Sequence, residues 1–495
     1  MLTSEGKIME NPEDLLGKVL DTEKLKYCYE CGICTASCPM TELLPKRYNP
    51  RILLQKIWFD YKKVLTENEI WLCAWCYRCY KNCPQGLKLP EVFLSMKDLA
   101  AERGYFDGFM EALKIIKREV PLPAVCCYVC FHPEDGSVDK PPVVSALKRF
   151  FADYQRGKKE KRLLAYKAHK EKIAIVGSGP AGLTASYELA RKGYRVTIFE
   201  SLSELGGMLR VGIPEFLLPK SVVNAEIRHI RNWGVEIRTD VLVGKDVTIE
   251  GLLIKGYSAI FIATGAHKSR SLRVEGEELE GVFNALDLLK KTNMGMDVEL
   301  GKRVAVIGGG NVAVDASRAA LRLGAEEVNI LYRRSREEMP VNPWEVKKAE
   351  NEGVKIRFLV APRKILGKNG RATSIECVRI KLGELDVSGR RRPVPIEGSE
   401  FVTEFDTIIL AIGEVPDLSL LPKEIETTGG ETIAADPFTL QTSLPGVFAG
   451  GDVVLGPATV IEAIAAGKRA AASMDRYLRT GEKSEFMAGV NEGSS

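Results

Sequence analysis

Histidine is scarce in this chain. The 495 residues hold four, at positions 132, 169, 229 and 267, and none lies near another in sequence. That removes histidine-rich metal centres and leaves no visible active site for a further small-molecule substrate. No apolar run reaches the roughly 18 residues needed to cross a bilayer. The first residues carry Glu5, Glu10, Glu13 and Asp14 with no apolar core between them, unlike a secretory signal. A net charge of +4 is too mild to argue for nucleic acid, which needs clustered basic charge. Beyond residue 130 the chain has a single cysteine, Cys377, so that whole stretch cannot form a redox disulfide of its own.

What cysteine there is lies near the start, in a pattern. Cys28, Cys31, Cys34, Cys38 and Pro39 spell Cys-x2-Cys-x2-Cys-x3-Cys-Pro, and Cys73, Cys76, Cys79, Cys83 and Pro84 spell it again. Such a run holds a cubane iron-sulfur cluster with three thiolates from one tight wrap and sends its fourth cysteine to the other cluster. The spacing therefore predicts two [4Fe-4S] clusters, one on Cys28, Cys31, Cys34 and Cys83, the other on Cys73, Cys76, Cys79 and Cys38. Zinc sites use paired cysteines with different spacing, and disulfide frameworks belong to small secreted chains. A reducing, cytoplasmic location is the expectation.

Length alone suggests about three domains at roughly 150 residues each. Between the cysteine runs Asn49 reads as a helix cap, with Pro50 at the first helical position and Ile52, Leu53, Ile57 and Trp58 at helical spacing. A second helical stretch is expected from about Pro90 to Val120. Residues 1–157 are thus expected as an α-helical di-cluster domain. With Trp71-Leu72 leading into the second run, that domain resembles the helical-ferredoxin subunit of heterodisulfide reductases. The lysine-rich segment Gly157 to Lys172 reads as a solvated linker, or as a docking patch for an acidic partner such as ferredoxin.

From Lys172 onward short apolar strands alternate with helices, the mark of α/β domains. The first strand runs into Gly177-Ser178-Gly179-Pro180-Ala181-Gly182 and a helix ending near Gly193, and Arg195 to Phe199 forms the next strand, closed by Glu200. Glycines there let a backbone approach a pyrophosphate, and an acid about 20 residues on can hold ribose hydroxyls. Gly177, Gly179, Pro180, Ala181 and Glu200 therefore point to FAD or NAD. A second loop, Gly308-Gly309-Gly310-Asn311-Val312-Ala313, follows another strand, but its next strand ends in Arg333-Arg334. Guanidinium groups pair with a 2′-phosphate that a carboxylate would repel, so Gly308, Gly310, Asn311, Val312, Arg333 and Arg334 point to NADPH, with NADH the alternative.

Ala263-Thr264-Gly265 and Ala449-Gly450-Gly451-Asp452, the latter followed by Thr459 and Val460 opening a helix, resemble the fingerprints of two-dinucleotide flavoproteins. The resemblance selects FAD for the first loop and places Asp452 on its ribityl chain. The expected fold is multidomain: the helical ferredoxin domain plus α/β, disulfide-reductase-like domains, with FAD on 171–295 and 401–480 and NAD(P)H on 296–400. Pro123-Ala124-Val125-Cys126, Gly206-Gly207-Met208-Leu209-Arg210, Gly212-Ile213-Pro214 and Tyr332 to Pro340 resemble the glutamate synthase small subunit and its relatives, which include electron-bifurcating oxidoreductases. That resemblance implies FAD contacts from Gly207, Met208, Arg210 and Ile213, and further cofactor contacts at Val243 and Gly413. With no visible site for a third substrate, the chain is expected as the NAD(P)H-handling subunit of a larger redox complex, with a ferredoxin as a further or alternative partner and a free-standing NADPH:ferredoxin oxidoreductase left open. Relatives carry a fuller cysteine set where this chain has Cys126, Cys127 and Cys130, so a third cluster there, with Glu134 as an oxygen ligand, stays open beside a packing role.

Overall fold

The computed structural model describes residues 28, 31–125, 169–386, 390–429 and 431–481. Cys126, Cys127, Cys130, Glu134 and the lysine-rich stretch before residue 169 lie outside them. The chain divides into two compact units, Met1–Leu164 with Thr459–Arg469, and Ala165–Ala458 with Ala470–Ser495. The division passes through one helix, Val460–Thr480.

The first unit is helical among the described residues: Ile33–Ala36, Pro39–Leu43, Pro50–Val64, Arg78–Lys81, Leu89–Glu102 and Asp107–Glu119, with a 3-10 turn at Glu69–Leu72. Asn49 caps as its sequence suggests, its Oδ1 accepting from Arg51 N at 3.0 Å and Ile52 N at 3.2 Å. The stretch expected as one helical run to Val120 is broken in two. Gly104 takes φ 73° and Tyr105 N donates to Ala100 O at 2.9 Å, a glycine stop of the left-handed kind. Trp71 packs on Phe109 with ring centres 5.2 Å apart, joined in the core by Leu53, Ile57 and Phe93. The apolar face read from Ile52, Leu53, Ile57 and Trp58 is split, because Ile52 and Trp58 remain exposed.

The second unit carries two parallel five-stranded sheets. One has the order Val447–Ala449, Tyr257–Ile262, Lys172–Val176, Arg195–Phe199, Glu236–Arg238. The other runs Val282–Asn284, Thr407–Leu410, Arg303–Ile307, Glu327–Tyr332, Lys355–Phe358. Their inner strands Lys172–Val176, Tyr257–Ile262, Arg303–Ile307 and Thr407–Leu410 are buried on both faces and read as near-continuous apolar runs, as parallel sheets require. Two strands fall outside the boundaries drawn from sequence. Val282–Asn284 and Thr407–Leu410, expected with the FAD segments, pair with each other, and Thr407–Leu410 pairs on its other side with Arg303–Ile307, so the second sheet draws chain from both sides of 296–400. A smaller antiparallel sheet follows it: Val360–Lys368, Arg371–Leu385, Arg391–Pro395 and Phe401–Glu404. Among the described residues no helix is long and apolar enough to cross a membrane.

Candidate functional site

In the helical unit, Cys28, Cys31, Cys34 and Cys83 line a single cavity, together with Gly32, Arg51, Pro84 and Leu87. Cys38, Cys73, Cys76 and Cys79 form the second group, close enough that each of Cys38, Cys76 and Cys79 feels the charge of its neighbours in the set. All eight thiols are free of disulfides. Burial is the main cause of an upward shift of the Cys38 thiol to about 11, and it pushes Cys76 and Cys79 higher still. Thiolates in such a place need cationic partners, which iron supplies. No set of three or more described His, Cys, Asp or Glu is arranged to hold a single metal ion. A cubane fits the donors better, because it keeps its thiolates at separate corners.

The second group has surroundings that its spacing did not reveal. Lys97 is 4% exposed and donates from Nζ to Cys73 O at 2.9 Å. Trp75 N donates to Cys73 Sγ at 3.4 Å, and the buried Tyr48 hydroxyl bonds to the same cysteine. The helix start at Thr459 and Val460 belongs to this unit. There Thr459 N and Oγ1 donate to Glu462 Oε2 at 2.9 and 2.6 Å, a capping box. Glu462 Oε1 also faces Arg78, between Cys76 and Cys79, at 2.7 Å, without an N–H aligned for a hydrogen bond.

In the first parallel sheet, the strand-end segments meet where ligands bind in such folds. Ala449 lies opposite Ile262, so Ala263-Thr264-Gly265 and Gly450-Gly451-Asp452 leave adjacent strands together. Gly177, at φ 99°, could not carry a side chain, because a Cβ would fall 2.5 Å from Ala263 O. A Cβ on Gly207 would fall 2.9 Å from Gly179 Cα, which puts the Gly206 to Pro214 segment against the loop. At Gly179 a Cβ would meet nothing within 4 Å, leaving open space in front of the helix Pro180–Lys192. That helix start, with Pro180 and Ala181 in its first turn, fits a pyrophosphate.

Glu200 is buried, and its carboxylate is already engaged. Oε2 accepts from Ser178 N at 2.9 Å and Ser178 Oγ at 2.6 Å, while Oε1 accepts from Leu202 N at 2.9 Å. Ser178 Oγ in turn accepts from Gly206 N at 2.9 Å. Ser178 is a variable position of the glycine motif, and the hydroxyl between two loop glycines is the only sequence signal of its role. Arg210 is turned inward, its Nε donating to Leu205 O at 3.1 Å and its Nη2 to Asn224 Oδ1. Lys220 Nζ donates to Leu209 O at 3.2 Å and Ile213 O at 2.5 Å, and Asn293 Nδ2 donates to Val211 O at 2.9 Å, fixing the segment that holds Met208 and Ile213. Burial lowers the Lys220 ammonium to about 8, a cation weakened next to the expected ring site. Val243 bridges Val247 in the loop after the last strand of this sheet.

The second loop repeats the device. A Cβ on Gly308 would lie 2.0 Å from Ala411 O, and Gly310, open in front, caps the helix Asn311–Arg322 whose first residues are Asn311 and Val312. Gly413, at φ 110°, accepts through its carbonyl from Arg270 N at 3.0 Å. Tyr332 lies under Gly309 and donates its hydroxyl to Glu338 O at 2.8 Å. Of the two arginines, Arg333 is exposed. Arg334 is 5% exposed, donating to Asp386 Oδ2 at 2.6 Å and Arg391 O at 2.8 Å.

Residues 171–467 match the pyridine nucleotide-disulphide oxidoreductase family, and residues 24–87 match a 4Fe-4S dicluster domain. The beta subunit of an NADP(+)-dependent formate dehydrogenase from Moorella thermoacetica is 45% identical over 436 residues, covering 82% of this chain. This chain spans 60% of that relative's own length. The glutamate synthase [NADPH] small chain of Escherichia coli K12 is 35% identical, with 82% of this chain and 88% of the relative covered. Among solved structures, Mycobacterium tuberculosis FprA in complex with NADPH superposes with a TM-score of 0.53 at 21% identity, covering 66% of this chain and 86% of FprA, a likeness of fold.

Proposed function

The chain belongs to the pyridine nucleotide-disulphide oxidoreductase family, and on that premise we propose that it carries electrons between NADPH, FAD and two [4Fe-4S] clusters, exchanging them with a partner redox subunit or a ferredoxin. The observation that carries this reading is the pair of strand ends, a buried carboxylate at Glu200 and an exposed guanidinium at Arg333, behind two otherwise equivalent glycine loops. Bound FAD would accept hydride from a nicotinamide and release its electrons one at a time, chemistry that belongs to the cofactors.

The protein's own part is orientation. Gly177, Gly179 and the helix start at Pro180 hold the FAD pyrophosphate, Glu200 through Ser178 keeps that loop shaped, and Lys220 and Asn293 brace the segment beside the ring. Gly308, Gly310 and the amides of Asn311 and Val312 receive the second nucleotide. Cys377 has no second cysteine nearby in sequence, so thiol relay is closed and the iron-sulfur thiolates are the remaining exit. The eight cysteines suit two clusters with the crossed ligand sets. A reducing compartment such as the cytoplasm suits them. Names of the relatives, subunits of a formate dehydrogenase and of glutamate synthase, support assembly with a catalytic partner.

Anaerobic mixing with NADPH tests the reading. Flavin absorbance should bleach within the mixing series, and the visible cluster absorbance should then fall; no bleaching with FAD bound would overturn it. A glutamine-hydrolysing subunit co-purifying from the native host would instead favour the glutamate synthase assignment.

A further inference from the structure

A thin ribbon carries the chain between the two parallel sheets of the second unit. Lys268–Ser269 and Glu414–Val415 pair antiparallel there, two residues to a strand. A link that short leaves the seating of one sheet on the other to side contacts. Hydride transfer depends on that seating, because reacting atoms must come within about 3–3.5 Å of each other.

One such contact gathers on a single ring. Phe216 follows Gly212-Ile213-Pro214, in the segment packed against the first glycine loop. The guanidinium of Arg322 lies 4.0 Å from its ring centre and that of Arg318 lies 4.7 Å away, both in the range of a cation–π contact. The two arginines sit four residues apart on the helix Asn311–Arg322, and so on one face of it. Side by side they need a counter-charge, which Glu352 supplies. Its Oε1 accepts from Arg318 Nη2 at 2.7 Å, and its Oε2 accepts from Arg318 Nε and Arg322 Nη1, each at 2.9 Å. Burial works against the Glu352 carboxylate, yet the bonds from Arg318 and Arg322 hold it down to about 2. Earlier in the same segment, Asn293 donates to Val211 O at 2.9 Å and Ile213 O at 3.2 Å from the end of the helix that follows Val282–Asn284. Helices of the second sheet thus grip the stretch 211–216 at both ends.

The other end of Asn311–Arg322 is the second nucleotide loop, where Gly310 caps it. Twelve residues make a stiff rod of about 18 Å, with the nucleotide loop at its start and the two arginines in its last two turns. We propose that Phe216, Arg318, Arg322 and Glu352 form a clasp that positions the flavin-side segment on this rod and thereby sets the alignment of nicotinamide on flavin. All four are positioning residues. The inference rests on the reading that NADPH at the second loop reduces FAD at the first.

The test compares wild type, Phe216→Leu, Phe216→Tyr, Arg322→Gln and the Phe216→Leu/Arg322→Gln double variant as FAD-loaded full chains. Anaerobic stopped-flow against NADPH concentration gives the limiting rate of flavin bleaching and its half-saturation; hydrogen exchange without NADPH reads the backbone of residues 209–218. Phe216→Leu and Arg322→Gln should each lower the limiting rate roughly tenfold at unchanged half-saturation and FAD content, and the double variant should fall no further. Phe216→Tyr, which keeps the aromatic face, should match wild type. Exchange in 209–218 should rise about tenfold in the two single variants and stay unchanged in the helix Pro180–Lys192. If Phe216→Leu fails to hold FAD, Arg322→Gln, on the exposed flank of the clasp, carries the test. An unchanged limiting rate, or additive losses in the double variant, would overturn the clasp. A loss confined to half-saturation would place these residues in nucleotide binding and overturn it as well. A wild type that NADPH does not bleach would overturn the NADPH reading instead, and hydrogen exchange would then decide the clasp alone: unchanged exchange in both single variants would overturn it.

Discussion

The two cysteine wraps share a spacing and a backbone device but not an environment. In each, the residue after the second cysteine is left-handed and caps a short helix: Gly32 at φ 78° before Ile33–Ala36, and Tyr77 at φ 61° before Arg78–Lys81. The first wrap lies open, with Cys31 exposed and Cys28 and Cys34 half-buried. The second is built into the core, with Cys73 and Cys79 buried, Lys97 beneath, and the rings of Trp75 and Tyr80 at 5.6 and 6.3 Å from that of Tyr77. One motif thus yields a site near solvent and a site sealed by packing. The difference suits a conduit with an outer and an inner station.

Removing a ligand from each should break the symmetry most strongly. Cys79→Ser should lose one cluster's iron and also destabilise the helical unit by several kcal/mol, because metal binding is coupled to folding and the vacated thiols are buried. Cys31→Ser should lose as much iron with a much smaller fall in unfolding temperature. Iron content and thermal unfolding, read side by side, check this; equal falls in the two variants would erase the distinction.

Lys97 sharpens it. Burial pushes the Lys97 ammonium below its ordinary range against the charge of Cys73; in its protonated form it favours the more negative, reduced form of a cluster held there, since potentials follow local charge and solvent exposure. Lys97→Met should keep full iron content and lower the midpoint potential of one cluster while leaving the other in place, as read by potentiometric titration with electron paramagnetic resonance. A uniform shift of both signals, or none, would contradict the assignment of Lys97 to the inner site.

Much of this was legible from residues alone, for identifiable reasons. Cysteine spacing and glycine loops are local geometry, so Cys28 to Cys83 and Gly177, Gly179, Gly308 and Gly310 could be placed without a structure. Asn49 and Gly193 announced a helix start and a helix end in the same way. What stayed hidden depends on pairing across the chain. Lys97 meets Cys73 only because the helix Leu89–Glu102 folds back, and Ala411 closes the second loop only because Thr407–Leu410 pairs with Arg303–Ile307. Arg334 looked equivalent to Arg333 because the two are adjacent in sequence, yet in the bend after Glu327–Tyr332 one is exposed and the other is buried by its bonds to Asp386 and Arg391.

The smallest effects separate the two left-handed caps. Tyr77→Gly would relieve a φ that a tyrosine adopts at a cost of about 1 kcal/mol, but it would also remove a ring that is 8% exposed, so a net loss of about 2 kcal/mol is expected. Gly32→Ala is a cleaner probe, since a Cβ there meets nothing within 4 Å and the backbone conformation alone is charged for the change. It should cost about 1 kcal/mol and leave iron content untouched. Chemical denaturation of the iron-loaded chain measures both. If Gly32→Ala proved the more damaging, the outer wrap would be as tightly constrained as the inner one, and the contrast between an open and a sealed station would have to be drawn from exposure alone.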